Sequence, residues 1–232
     1  MNFLRKYLLP ILLVFCLSNT SLFAQGSKVN IGLIAGMNAS SFTKQKSDSV
    51  NGFKFGYSAG AFINCSVRDF MNVQLELLYM QQGGVNYSKD SLSDHTEKSI
   101  NHISLHNFEI PLLFKFGIPG SASTVHPRVF LGPALGINIF STNNYVSAIT
   151  FPSGRKYIIE DKDDVTADYT QLQWGAYFGI GGDIEMGSCL MAVDLRYRLG
   201  LNALATNNNV DILATEVKSN TIALTIALSL KK

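Results

Sequence analysis

Between Thr221 and Leu230 the chain beats in twos. Ile222, Leu224, Ile226, Leu228 and Leu230 are large and apolar, while Thr221, Ala223, Thr225, Ala227 and Ser229 are small or mildly polar. Successive residues of a strand point to opposite faces, so this segment has one greasy face and one face of short side chains. The same beat recurs along the chain and predicts eight strands, near residues 29–39, 52–65, 71–82, 104–118, 127–140, 170–185, 188–199 and 217–230. In the third, Val73, Leu75, Leu77 and Tyr79 oppose Asn72, Gln74, Glu76 and Gln82. In the seventh, Met191, Val193, Leu195, Tyr197 and Leu199 oppose Asp194, Arg196 and Arg198.

The expected links alternate in length. Those after odd strands are long (40–51, 83–103, 141–169, 200–216), and those after even strands are short (66–70, 119–126, 186–187). The long ones carry turn vocabulary, such as Ser91 to Asp94 and Asn207 to Asn209. Pro111 and Pro133 fall inside the fourth and fifth strands, where each removes a ladder donor, so a bulge is expected beside each.

Alternation does not say which face is inside. A soluble ligand-binding barrel would turn the greasy face inward. Here that face is free of charge over membrane-spanning lengths, and its aromatic members gather at the long-loop ends. Tyr57, Tyr79, Trp174 and Tyr197 are expected to form an interfacial girdle. The fold class is therefore all-β, an eight-stranded antiparallel transmembrane up-and-down β-barrel with brief turns on one side and long loops on the other.

Residues 1–24 have the three-part plan of a signal peptide: Arg5 and Lys6, then the apolar run Tyr7 to Leu17, then a small-residue exit at Ala24. Cleavage is expected after Ala24, leaving 25–232 as one outer-membrane barrel domain. The leader holds two of the 19 basic residues and none of the 17 acidic ones, so the remainder is neutral, with no electrostatic reason to bind nucleic acid. Cys65 and Cys189 remain, on non-neighbouring strands, and read as isolated thiols.

The polar face carries the candidate site. Lys54, Lys115, Arg128, Arg196 and Arg198 share it with Glu76, Glu109, Asp183, Glu185 and Asp194, five positive and five negative groups. An eight-stranded barrel has an interior just wide enough for side chains, where uncompensated charge would cost several kcal/mol per ion. Opposite signs are needed together, with Gly56, Gly60, Gly132, Gly136, Gly179 and Gly181 leaving room for them. A plugged lumen is expected.

Several segments carry a family resemblance: Ile31-Gly32 to Asn38, Leu75-Glu76-Leu77-Leu78-Tyr79 running into Gln82-Gly83, and Asn107-Phe108-Glu109-Ile110-Pro111-Leu112-Leu113. With Phe130-Leu131-Gly132-Pro133-Ala134-Leu135-Gly136 they make residues 28–230 resemble the PorT-like outer-membrane β-barrel domain family of the Bacteroidetes. The resemblance implies fold and location, and brings no catalytic residues.

Other chemistry is thin. His102 and His106 would stand about 13 Å apart on an extended chain, too far to share a metal. His95 and His102 lie in the expected loop 83–103, with His106 just beside it. Glu160-Asp161-Lys162-Asp163-Asp164 lacks the central glycine and closing glutamate of a calcium loop and reads as a solvated acidic tip. No nucleophile–histidine–acid set stands out, so no enzyme, cofactor or metal site is expected. The leading function is a structural, envelope or interaction protein in contact with outer-membrane lipid and lipopolysaccharide. The alternatives are a narrow pore, an accessory component of protein secretion, and a secreted soluble ligand-binding barrel.

Overall fold

The computed structural model describes residues 29–43, 50–91, 95–118, 125–204 and 217–230; the expected leader and its cleavage site lie outside them. Ten strands follow in order: β1 (Val29–Thr43), β2 (Val50–Gly52), β3 (Lys54–Arg68), β4 (Met71–Ser91), β5 (Thr96–Gly117), β6 (Val125–Thr150), β7 (Lys156–Asp164), β8 (Leu172–Met186), β9 (Cys189–Gly200) and β10 (Lys218–Leu230). Eight of them, all but β2 and β7, make an antiparallel up-and-down ring closed where β10 pairs with β1. Closure removes the sheet edges that hydrocarbon would leave unsatisfied.

Register fixes the shape of the ring. From Val29, stepping between paired residues leads through Cys65, Val73, Phe114, Leu131, Phe178, Tyr197 and Ile222, and returns to β1 at Ala39. The path comes back ten residues further along the strand it left, so the barrel has eight strands and a shear of ten. With ordinary strand spacing and rise this gives a tilt of about 41° and a radius of roughly 8 Å. Each residue then climbs about 2.5 Å along the axis, and each step to the next strand about 3 Å.

The wall is inside-out. Leu33 is 71% exposed and its neighbour Ile34 3%; Leu195 is 49% exposed and Arg196 2%. Ile63, Leu77, Ile110, Leu131, Ile180 and Ile226 continue the exposed apolar face around the ring. A soluble ligand-binding barrel requires the opposite arrangement. Cys65 and Cys189 are both free and half-buried.

Two expectations are corrected. The segments 83–103 and 141–169 are largely sheet: β4 runs on to Ser91 and β5 starts at Thr96, with unbroken pairs from Gly83 and Ser104 to Ser91 and Thr96. β6 continues to Thr150, and the chain folds back through a turn with Gly154 at φ +81° to form β7. The acidic run 160–164 is thus part of a strand, not a loop tip. Hairpin register, once set in the barrel wall, propagates beyond it, and β2 adds to the far flank by pairing with β4. The second correction concerns the prolines. The register slips at His106/Asn107 and at Ser66/Arg68, but Pro111 still faces Ala134 and Pro133 still faces Ala176 in unshifted ladders.

The charged lumen as candidate functional site

Alternation sends every second residue of the ring inward, and the tilt assigns each a height. Above Val29, Asp183 stands at about 3 Å, Arg128 at about 5, Lys115 at about 7, Asp194 at about 11, Glu76 at about 14 and Arg196 at about 16. Glu109 and Arg198 follow at about 22 and 21 Å. All eight fall within the roughly 25 Å of an outer-membrane hydrocarbon belt.

The side chains meet as those heights require. Arg196 grips Glu76 with both terminal nitrogens, at 2.7 and 3.0 Å, and reaches Asp194 at 2.9 Å. Arg128 bridges Asp183 and Asp194, the latter at 2.5 Å. Lys115 stands 3.7 Å from Asp194 and 5.8 Å from the centre of the Phe130 ring, which Arg196 also faces at 5.6 Å. Three cations and three carboxylates thus close one network across five strands. Above it, Arg198 sits 2.5 Å from Glu109. The Tyr177 hydroxyl donates to the second oxygen of Glu109 at 2.5 Å, and the Gln82 amide to the first at 3.1 Å. Glu76, Glu109, Asp194, Arg196 and Arg198 are each at most 2% exposed.

Eight of the ten expected charges therefore meet in these two groups, and Lys54 and Glu185 stand at opposite ends of the barrel. Lys54 stands about 31 Å up, above the belt, and makes no ion pair among the described residues. Glu185 lies about 2 Å below Val29, at the turn end, and is exposed. Parity puts both on the inner face, and their heights set them at its two ends.

The same geometry fills the rest of the lumen with groups that charge alone does not reveal. Ile34, Phe62, Leu78, Met80, Leu113, Phe130 and Tyr177 share a buried cluster inside the ring. Glycines make the room. A Cβ on Gly181 would collide with the Asp194 carboxylate, and one on Gly179 with the Phe130 ring. At the loop end Phe42, Ile103, Leu105, Tyr169, Leu204 and Val217 form an apolar roof. Backbone bonds from Thr170 to Leu204 (2.7 Å) and from Leu204 to Val217 (2.9 Å) pin it. Burial raises the Tyr169 phenol above its ordinary range. At the turn end lies a cavity of about 410 Å³, lined by Asp69, Phe70, His126 and Asp183 and floored by Lys115 and Arg128.

The four expected girdle residues lie in one band. Tyr197, Tyr79, Tyr57 and Trp174 stand about 19, 21, 23 and 26 Å above Val29. Tyr57 and Trp174 are 53% and 52% exposed. Tyr79 packs between Tyr57 (5.9 Å between ring centres) and Phe108 (6.2 Å), and Tyr197 against Phe178 (5.0 Å). His106 extends the band, bonded to the Tyr79 hydroxyl at 2.6 Å and stacked on Phe140 at 3.9 Å. His95 lies instead beside Phe151, and His102 sits opposite Val85 and Asn144. Among the described residues no group of His, Cys, Asp or Glu is arranged to hold a metal.

A closed ring with an apolar exterior and paired ions within defines the class of transmembrane β-barrels. The chain belongs to the outer membrane protein beta-barrel domain family, whose match covers residues 23–205. It is thus an outer-membrane β-barrel protein. Among solved structures it is similar to Neisserial surface protein A (NspA), at 13% identity over 90% of this chain and 100% of that one, with a TM-score of 0.42. The outer membrane protein OprG from Pseudomonas aeruginosa matches at 13% identity, 89% and 95% coverage and a TM-score of 0.43. Ail, the attachment invasion locus protein of Yersinia pestis, matches at 7% identity, 88% and 99% coverage and a TM-score of 0.35. A comparison with the curated proteins finds no match.

Proposed function

We propose that this protein is a non-enzymatic, non-conducting outer-membrane barrel that presents a rigid sheet outside the cell for envelope or interaction roles. The observation carrying this reading is the filled lumen. Asp194, Glu76 and Arg196 bridge its middle, Glu109, Arg198 and Tyr177 occupy the level above, and the apolar roof covers both. Moving an ion through would require parting buried ion pairs at a cost of several kcal/mol per uncompensated ion. Beyond the roof, β4, β5, β6 and β7 continue as sheet, braced by the Ser147 and Tyr145 hydroxyls donating to Glu97 at 2.6 and 3.0 Å. The signal peptide ending at Ala24, lipopolysaccharide around the girdle, and an outward-facing loop end belong to this reading.

Planar-bilayer recording tests it. The purified barrel should give no steady current, and a stable conductance altered by neutralising Glu76 or Arg196 would establish the pore instead. The 410 Å³ cavity at the turn end is the feature that favours a gated pore, since Lys115 and Arg128 of the charge network line it. The resemblance of Glu109-Ile110-Pro111-Leu112-Leu113 to PorT-like proteins favours an accessory role in protein secretion. A deletion strain with an unchanged secreted-protein profile would remove that role.

A further inference from the structure

Of all the strands, β7 alone is exposed along its whole length: each of its nine residues is exposed. It pairs with β6 on one edge, and among the described residues no strand covers the other. Backbone donors and acceptors on such an edge are a template for one more strand. The side chains specify which strand would fit. Tyr157, Ile158 and Ile159 are 55%, 69% and 49% exposed and form an apolar first half. Glu160, Asp161, Asp163 and Asp164 make the second half acidic, with Lys162 as its one cation.

The inner neighbour leaves that acidity uncompensated. Opposite Glu160, Asp161 and Asp163 stand Val146, Tyr145 and Asn143, and no Lys or Arg lies on β6 between Thr142 and Thr150. We propose that the free edge of β7 captures an extended, basic-and-apolar protein segment by strand addition. Its cations would lie against Glu160, Asp161 and Asp163, and its apolar residues against Tyr157 to Ile159. The same charge disfavours a second copy of this chain. β7 carries four acidic and two basic residues, so two copies edge to edge would bring like charge together. Edge charges commonly serve to prevent pairing. Here their sign turns that protection into selection, excluding acidic strands and admitting basic ones.

The inference rests on the loop end being an interaction face, and its test is separate from the conductance test of the barrel. The probe is a fluorescent nine-residue peptide with a Lys-rich half and a Val-rich half, titrated against the full chain folded in detergent micelles, with folding checked by gel mobility before and after boiling. Saturable binding is expected. It should weaken about tenfold in Asp161→Lys/Asp163→Lys and vanish for a Glu–Val peptide. The decisive control is the Lys–Val peptide with alternate backbone amides N-methylated, which keeps its charge and loses its ladder bonds. Equal binding of methylated and parent peptides would overturn strand addition. Undiminished binding by the charge variant would overturn the site, and absence of binding by the folded barrel would overturn the inference while leaving the barrel reading intact. A wild-type dimer that dissolves in the charge variant would assign the edge to a second copy, also against the proposal. The peptide controls need no variant, so a misfolded variant leaves the test standing.

Discussion

Replacing Arg196 by methionine should be the most damaging conservative-volume change in the lumen, and the structure says why. Arg196 is the hub between Glu76 and Asp194, at 2.7 and 2.9 Å. Asp194 would keep Arg128 and Lys115 as partners, whereas among the described residues Glu76 would keep only the Gln74 amide at 2.5 Å. The variant therefore strands one carboxylate that is 1% exposed. Breaking a buried pair from one side costs about 3–5 kcal/mol, most of it the penalty on the orphaned charge. With a urea dependence of about 2–3 kcal/mol per molar, the unfolding midpoint should fall by roughly 1–2.5 M.

The assay is equilibrium unfolding in lipid vesicles, followed by Trp174 fluorescence and by the mobility of unboiled samples. The single tryptophan lies in the girdle, so its emission reports loss of the wall–lipid contact. Specificity comes from the second substitution. Glu76→Gln in the Arg196→Met background removes the stranded charge and should recover most of the loss. Asp194→Asn in that background should recover nothing, because it deprives Arg128 and Lys115 of their shared carboxylate. A loss below about 1 kcal/mol for Arg196→Met, or equal rescue by both second changes, would refute the assignment of Glu76 as the dependent partner.

Three further outcomes follow from other levels of the fold. Leu131 faces outward, 55% exposed, about 12 Å above Val29 and so near mid-belt. Leu131→Arg should cost about 2–4 kcal/mol in bilayers, and unchanged stability there would contradict a lipid-facing wall. Gly181→Leu should cost about 1–3 kcal/mol in the same assay, because its side chain must displace the Asp194 carboxylate from Arg128; normal stability would mean the lumen is looser than described. Outside the belt, bonds from Ser147 and Tyr145 hold the Glu97 carboxyl below the usual glutamate value of 4.5. Its contribution to the outer sheet is complete above 4.5 and declines as pH falls through its lowered folded value. Protection factors of amides at the outer ends of β5 and β6 should fall there in the native chain, and Glu97→Gln should flatten that dependence.

How much of this was legible in the chain depends on what each feature contrasts with. Leu33 beside Ile34 and Leu195 beside Arg196 differ in exposure because lipid touches one parity and packed side chains the other. Parity is written in the sequence, which is why the ring and the paired residues Glu76, Asp194 and Arg196 could be read from it. Depth is not written there. Lys54 and Glu185 share the parity of the network yet stand at opposite ends of the barrel, at heights that follow from a shear only inter-strand register reveals. Tyr177 and Phe130 are hidden for a related reason: they are aromatic residues on the inner face, where parity predicts polar or small side chains. The outer halves of β4, β5 and β6 were hidden more deeply. Beyond the membrane a strand has water nearby and needs no greasy stripe, so Ser, Asn and Lys serve there as well as in loops. What carries those residues into sheet is the hairpin register begun below, a long-range constraint that local composition does not express. The exposed edge of β7 is its consequence: a sheet that leaves the closed ring regains the edge that closure had removed.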